Sequence, residues 1–176
     1  MPSPDPVIRP AAPGDLDAVA AIFSHYVTSS VITFEVTAPT AEDWRRTLDD
    51  LAERGPPFVV CECDGQVAGY AYAAPWRTKS AYRHTVESTV YLAPDRTGRG
   101  LGGRLLRALQ QRCQRAGMEQ MIAVIADSGN PETASVSLHR KCGFTDAGRL
   151  RNVGRKHGRL IDTLLMQHDL TAGSAE

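Results

Sequence analysis

The chain has 176 residues, enough for one domain with its own core and too few for two. Its 20 basic and 20 acidic side chains balance, so no overall charge attracts nucleic acid or an anionic membrane. The first residues lack the pattern of a signal peptide, and no apolar run approaches the roughly 20 residues that a membrane span needs. We therefore expect a single cytoplasmic domain over residues 1–176, with a structured core at about 7–170.

The cysteines form no CxxC pair, and they stand at positions 61, 63, 113 and 142. Cys61 and Cys63 alternate within an apolar run, so we interpret them as strand residues that pack on one face. This interpretation leaves all four as thiols and predicts no metal site.

The first half of the chain predicts two helices and three strands. The helices follow from apolar residues at three- and four-residue steps, and Gly55-Pro56-Pro57 ends the second. Asp64-Gly65 between two β-rich runs is a strong hairpin signal. In chain order the predictions are a strand at 7–9, a helix to about 29, a helix at 39–54, and strands at 58–63 and 67–73.

The second half predicts strands that alternate with helices. A Gly- and Arg-rich turn at 94–103 opens a helix that ends at Gly117. The remaining predictions are strands at 85–92, 121–126, 144–150 and 160–169, and a helix at 134–141. A hairpin followed by a strand-helix-strand unit indicates an α/β (mixed α+β) domain, with a central mixed, mostly antiparallel sheet flanked by helices.

The segment 97–103, between a predicted strand and a helix start, has the features of an anion site. Its glycines let the backbone approach a phosphate, and a helix N-terminus presents free N-H groups. Arg96, Arg99 and Arg104 add positive charge, although a Gly-rich surface turn with solvated arginines has the same composition.

Two cofactors compete for this turn, since Gly98, Gly100 and Gly103 also satisfy the spacing of a dinucleotide-binding loop. Asp127 then takes the place of the acidic ribose ligand. Five residues separate Leu92 at the strand end from Gly98, however, and a dinucleotide loop follows its strand almost at once. Coenzyme A is therefore favoured over a nicotinamide.

Gly100-Leu101-Gly102, together with the segment from Leu138 to Gly143-Phe144, resembles the GNAT acetyltransferases. Thr97 departs from the loop pattern of the family, which has Gln or Arg there, and His139 stands where many members have Tyr. The resemblance is closest to the phosphinothricin and methionine sulfoximine N-acetyltransferases. It is carried by these blocks: Thr33-Phe34-Glu35, Pro75-Trp76-Arg77, Ala81-Tyr82-Arg83, Thr85-Val86-Glu87 and Lys156-His157-Gly158.

The resemblance implies the GNAT acyl-CoA N-acyltransferase fold, with acetyl-CoA as co-substrate, a small amino-acid-like amine as acceptor, and a homodimer. Glu87 is the implied base, and His139 is a candidate proton donor to the leaving thiolate. The implied acetyl-CoA contacts are Val90, Tyr91, Leu92, Gly98, Arg99, Gly100, Leu101, Gly102, Gly103 and Asn130. The implied acceptor contacts are Phe34, Trp76, Arg77, Tyr82, Arg83, Thr85 and Val86.

Several alternatives remain open from sequence. Glu87 also fits a solvent-facing strand position, and His139 fits a packed helix position. An acyl-enzyme on Cys142 is the less attractive chemistry, and Lys156-His157 fits a pocket rim, a subunit contact or a plain turn. The acceptor is also open to another small amine or a protein N-terminus, and a non-catalytic coenzyme A-binding module is a further possibility.

Overall fold

A computed structural model describes residues 5–129 and 134–172. The helices are α1 (Leu16–Ser29), α2 (Ala41–Arg54), α3 (Leu101–Arg115) and α4 (Ala134–Lys141). The strands are β1 (Val7–Pro10), β2 (Phe58–Cys63), β3 (Gln66–Pro75), β4 (Thr85–Leu92), β5 (Gln120–Ala126), β6 (Thr145–Lys156) and β7 (Arg159–Asp169). They form one sheet in the order β1-β2-β3-β4-β5-β7-β6. Among the strands of the described residues only the β4–β5 pair is parallel, so the predicted mixed, mostly antiparallel sheet is confirmed.

Two of the element boundaries that differ from the sequence prediction have a clear physical reason. Helix α2 begins at Ala41 rather than at residue 39, because Thr40 is its N-cap and accepts a hydrogen bond from the Asp43 N-H. Strand β6 does not end at residue 150, since after an irregularity between Leu150 and Gly154 it pairs with β7 again up to Lys156. A polar, Gly-containing segment lacks the local signals of a strand, and here the partner strand holds it extended.

In the described part of the chain, the sheet separates the two largest hydrophobic cores. Helices α1 and α2 cover one face, where Val19, Phe23 and Trp44 pack against Tyr70. Helices α3 and α4 cover the other face, where Leu105, Leu109 and Val136 pack against strands β4 and β5. We name the first of these the acceptor face and the second the cofactor face.

Strand β4 presents alternate side chains to the two faces. Val86, Val90 and Leu92 belong to the core beneath α3, whereas Tyr91 packs with the α1 and α2 side. Glu87 has the same parity as Tyr91, so it lies on the acceptor face. Within the described residues, no helix is both long enough and apolar enough to cross a membrane.

Candidate active site

A cleft opens where β4 and β5 stop pairing. Their register runs through the pairs Thr85–Gln120, Val86–Met121 and Glu87–Ile122, and ends there. Beyond this point β4 continues beside β3, while β5 continues beside β7. The gap between them is a cleft of about 570 Å³, within the range of small-molecule sites. Its lining includes Glu87, residues 88–91 of β4 and residues 123–126 of β5.

The backbone of Val90 faces this gap. The Trp76 N-H donates to the Thr85 carbonyl, and the Ala93 N-H donates to the Ala68 carbonyl. In an antiparallel ladder, alternate residues bond the same neighbour, so the odd-numbered residues of β4 bond β3 and the even-numbered ones face away. Past the end of the β4–β5 ladder, the Val90 N-H and C=O therefore point to the cleft, as the predicted pantetheine contact requires.

The next two predicted acetyl-CoA contacts, Tyr91 and Leu92, are placed differently from each other. Tyr91 is among the residues that line the cleft. Leu92 also turns its backbone toward the gap, but its carbonyl already accepts a hydrogen bond from the Tyr26 hydroxyl at 2.6 Å. The Leu92 side chain packs in the cofactor-face core. Val90 is therefore the better placed of the two predicted backbone partners.

Glu87 lies at the point where the strands part. Its side chain is partly buried in the cleft wall, and this burial raises the pKa of the carboxyl group, while the positive charge of Arg77 opposes the rise. The Arg77 guanidinium stacks over the Trp76 ring at 4.8 Å from its centroid. Arg77 itself is exposed and is not among the residues that line the cleft, so it acts on Glu87 through its charge. A carboxylate with a raised pKa in the cleft wall suits proton transfer from an amine.

His139 lines the cleft from α4 and is 5% exposed. Its Nδ1 is 2.7 Å from the Ser135 carbonyl oxygen, and because a carbonyl only accepts, Nδ1 carries the hydrogen. Burial lowers the pKa of His139, which favours the neutral ring with a lone pair on Nε2. This state accepts a proton rather than donating one, so the geometry disfavours the predicted role of His139 as a general acid.

The Gly-rich turn has the backbone of an anion site. Gly98 and Gly100 have φ of +73° and +76°, and nothing lies within 4 Å of a Cβ placed on either. Gly100 is the N-cap of α3 without a side-chain cap, and the first helical bond comes from Arg104. The N-H groups of residues 101–103 are therefore free to bind phosphate, so the turn fits the pyrophosphate of acetyl-CoA.

The three arginines of this region differ in their partners. Arg96 lies within 4 Å of Asp64 and Asp95, and Arg104 donates to the Pro6 carbonyl at 3.2 Å. In the described ranges, Arg99 has no charged partner, which leaves its guanidinium available to a phosphate.

Gly102 has a different function from the other glycines of the turn. A Cβ there would lie 3.2 Å from Leu138 Cδ2, so this glycine lets α3 pack closely against α4. Leu101 is likewise buried in the cofactor-face core, while Gly103 faces the end of the Arg107 side chain.

Several predicted acceptor contacts lie apart from the cleft. Val86 is 1% exposed, and its side chain packs in the cofactor-face core, which excludes it from the acceptor wall. Tyr82 and Arg83 lie at an exposed short helical turn, where Arg83 donates to the Ser80 carbonyl. Thr85 bonds the Trp76 backbone at the start of β4. Phe34 does line the cleft, whereas Asn130 lies outside the described residues.

The structure adds residues that the sequence did not indicate as site residues. The cleft is also lined by Ile32, Thr33, Ser88, Thr89, Ser135 and Thr163. Lys156 proves to be 4% exposed, and its Nζ donates to the Thr33 carbonyl at 2.9 Å. Thr33 and Lys156 stand in blocks that carry the family resemblance, and for Lys156 the sequence left a pocket rim, a subunit contact and a plain turn open.

Cys142 does not line the cleft, and burial raises the pKa of its thiol. A nucleophilic cysteine needs the thiolate form, so the structure supports the lower rank given to an acyl-enzyme.

Residues 8–165 match the family model described as an acetyltransferase (GNAT) domain, and the chain belongs to this family. The predicted family and fold are thereby confirmed. The protein is an acetyl-CoA-dependent N-acetyltransferase, which decides between coenzyme A and a dinucleotide at the Gly-rich turn.

Similarity to individual proteins extends over almost the whole chain. A phosphinothricin N-acetyltransferase of Alcaligenes faecalis is 45% identical, over 94% of this chain and 83% of its own length. An L-methionine sulfoximine/L-methionine sulfone acetyltransferase of Pseudomonas aeruginosa is 37% identical, over 93% and 94% respectively. A crystal structure of a phosphinothricin acetyltransferase from Sinorhizobium meliloti in complex with acetyl-CoA has a TM-score of 0.89 and 36% identity, covering 100% of this chain and 93% of that one.

Proposed function

We propose that the protein acetylates the amino group of small amino-acid-like substrates such as phosphinothricin, methionine sulfoximine or methionine sulfone. The observation that carries the proposal is the place of Glu87 in the cleft wall, where the charge of Arg77 is near enough to act on the pKa of this carboxyl group. A carboxylate suits the amino group of such a substrate, and a guanidinium suits its carboxylate or tetrahedral oxo group. The names of the relatives support the same substrate class.

Glu87 and His139 border the cleft from opposite faces of the sheet. Acetyl-CoA supplies the activated acetyl thioester, and the free N-H groups of the Gly-rich turn, Arg99 and the Val90 backbone are the groups that would hold it. Glu87 takes a proton from the acceptor ammonium, so that the nitrogen attacks in its neutral form. Holding amine and thioester together contributes further, with roughly 7 to 11 kcal/mol in the best cases for such orientation.

His139 assists from the cofactor face. With Nδ1-H bonded to Ser135, its Nε2 lone pair is available as a second proton acceptor. A thiol, with a pKa of about 8.5 in cysteine, is far more acidic than an amine N-H, so coenzyme A leaves as a thiolate without protonation by an acid.

We further propose a cytoplasmic homodimer whose activity detoxifies these amino acids and so gives herbicide resistance. Strand β6 is an edge of the sheet, and Leu150 and Val153 on it are 47% and 53% exposed. Leu160 on the adjoining β7 is 51% exposed. An edge strand with apolar neighbours favours a partner surface. Sedimentation equilibrium across protein concentrations tests the dimer, and a monomer at all of them would disprove it.

A thiol-release screen tests the substrate class directly. The panel contains methionine sulfoximine, methionine sulfone, phosphinothricin, spermidine and a peptide with a free N-terminus. We expect the amino-acid analogues to give the highest kcat/KM. Faster turnover of spermidine or the peptide would overturn the acceptor assignment, and no thiol release with any amine would indicate a binding module.

A further inference from the structure

The segment 31–36 between α1 and α2, which we name the acceptor loop, covers the cleft on the acceptor face. Ile32, Thr33 and Phe34 line the cleft, although the segment forms no helix or strand. A segment of this kind has no ladder to hold it, so its position depends on contacts with other elements.

The first such contact comes from β6. The Lys156 ammonium is buried beneath the loop and donates to the Thr33 carbonyl at 2.9 Å. Burying an ammonium is unfavourable unless it is bonded, so a lysine at this position is stabilised only while the loop carbonyl stays in place. Burial lowers the pKa of Lys156, and the charge of Glu35 opposes this effect.

The second contact comes from Gly154, two residues earlier on β6. The Phe34 ring lies over this glycine so closely that a Cβ there would be 2.4 Å from two ring carbons. Gly154 has no positive φ, so close approach of the ring, and not backbone conformation, requires a glycine. Any larger residue would push Phe34 away from its place in the cleft wall.

The loop is also attached on its other side. The Thr33 hydroxyl accepts a hydrogen bond from the Glu35 N-H at 3.2 Å. This hydroxyl is also near enough to the Tyr91 phenol of β4 to oppose the rise that burial causes in the Tyr91 pKa. Val31 packs with Ala126 of β5 and Ile161 of β7. The acceptor loop therefore bridges β4 and β6 across the cleft.

We propose that Lys156 and Gly154 are positioning residues that hold the acceptor loop and thereby set acceptor affinity. They act through Thr33 and Phe34, and neither lines the cleft itself. The amino-acid nature of the acceptor rests on the proposed function, whereas the attachment of the loop does not.

Kinetics of Lys156→Met and Gly154→Ala test the proposal, with Arg155→Met as the matched control because Arg155 is an exposed neighbour on the same strand. We expect the acceptor kcat/KM to fall about 10- to 100-fold, mainly through KM, as for a misplaced binding group. The KM for acetyl-CoA should stay within about twofold, because the Gly-rich turn opens α3 on the cofactor face, whereas the loop covers the acceptor face. Unchanged acceptor KM in both variants, with full acetyl-CoA binding stoichiometry, would overturn the proposal.

Hydrogen exchange gives a second measurement that needs no acceptor. In Lys156→Met the amides of residues 31–36 should exchange at least about tenfold faster, while those of α3 stay unchanged, because only the loop loses an attachment. Unchanged exchange in the loop would refute the attachment even if the variant loses activity. Failure of the wild type to acetylate any amino-acid analogue would instead refute the proposed function, and the exchange result would still decide the role of Lys156.

Discussion

Replacing Glu87 by Gln preserves the shape of the side chain and removes its ability to accept a proton. The carboxylate lies on the acceptor face, whereas the Gly-rich turn opens α3 on the cofactor face. The substitution therefore separates the chemical step from acetyl-CoA binding. Glu53→Gln is the matched control, because this glutamate is exposed on α2 and is not among the residues that line the cleft.

The size of the effect follows from the proton transfer. Loss of a general base typically lowers the rate by about 10²- to 10⁴-fold, and about 1.36 kcal/mol of barrier corresponds to each tenfold. We expect turnover at pH 7 to fall at least about a hundredfold, or roughly 2.7 kcal/mol. Calorimetry should show acetyl-CoA affinity within about twofold of the wild type.

The pH dependence provides the sharper measurement. Burial raises the pKa of Glu87 above its ordinary value of 4.5. The carboxylate, which is the base form of Glu87, predominates above that pKa. Wild-type kcat/KM should therefore rise with pH in an acidic range above pH 4.5, and this rise should be absent in Glu87→Gln. A change in kcat/KM caused by the titration of His139 would lie below pH 6.5, since burial lowers the pKa of His139. The loss of turnover in Glu87→Gln should become smaller as the pH approaches the pKa of the amine, because solvent then supplies the neutral nucleophile.

One result would refute this reasoning. If Glu87→Gln retains near-normal turnover from about pH 6 to 9, Glu87 is not the base, and orientation or His139 accounts for the rate. Loss of acetyl-CoA binding in the same variant would instead show that the two faces are coupled.

Three further predictions concern the cofactor turn and the fold. Gly100→Asp should weaken acetyl-CoA binding at least about tenfold by calorimetry, because a carboxylate would face the phosphates; Gly100→Ala, which has the same left-handed strain without the charge, should lose less. Arg9→Met should destabilise the fold by about 1 to 2 kcal/mol in urea at pH 7, because Arg9 holds the pKa of the buried Asp15 low. A carboxyl group whose pKa is lowered by folding stabilises the folded state at pH values above its unfolded pKa of about 3.9. The loss of stability in Arg9→Met should therefore diminish below pH 4, and an equal loss at pH 7 and below pH 4 would contradict this account. Gly102→Val should destabilise by about 1 to 3 kcal/mol, because its side chain would collide with Leu138, and unchanged urea stability would disprove the close packing.

The sequence alone determined the features that depend on neighbouring residues. Asp64-Gly65 gave the hairpin, apolar periodicity gave the helices, and the glycines of the turn marked the start of α3. Glu87 stood out as a carboxylate inside a β-rich run and lies in the cleft. These signals are local in the chain, so they survive without knowledge of the tertiary structure.

Only the tertiary structure decided which of these residues share a site. The cleft exists because β4 and β5, which are distant in sequence, stop pairing after Glu87, and this separation excludes Tyr82 and Arg83 while it admits Thr163. The protonation state of His139 depends on burial, which periodicity does not supply. Lys156, in a polar segment typical of an exposed turn, is buried because the acceptor loop, more than a hundred residues earlier in the chain, folds over it. Burial and contact between remote segments are properties of the folded chain, and they set the pKa values and positions on which the chemistry depends.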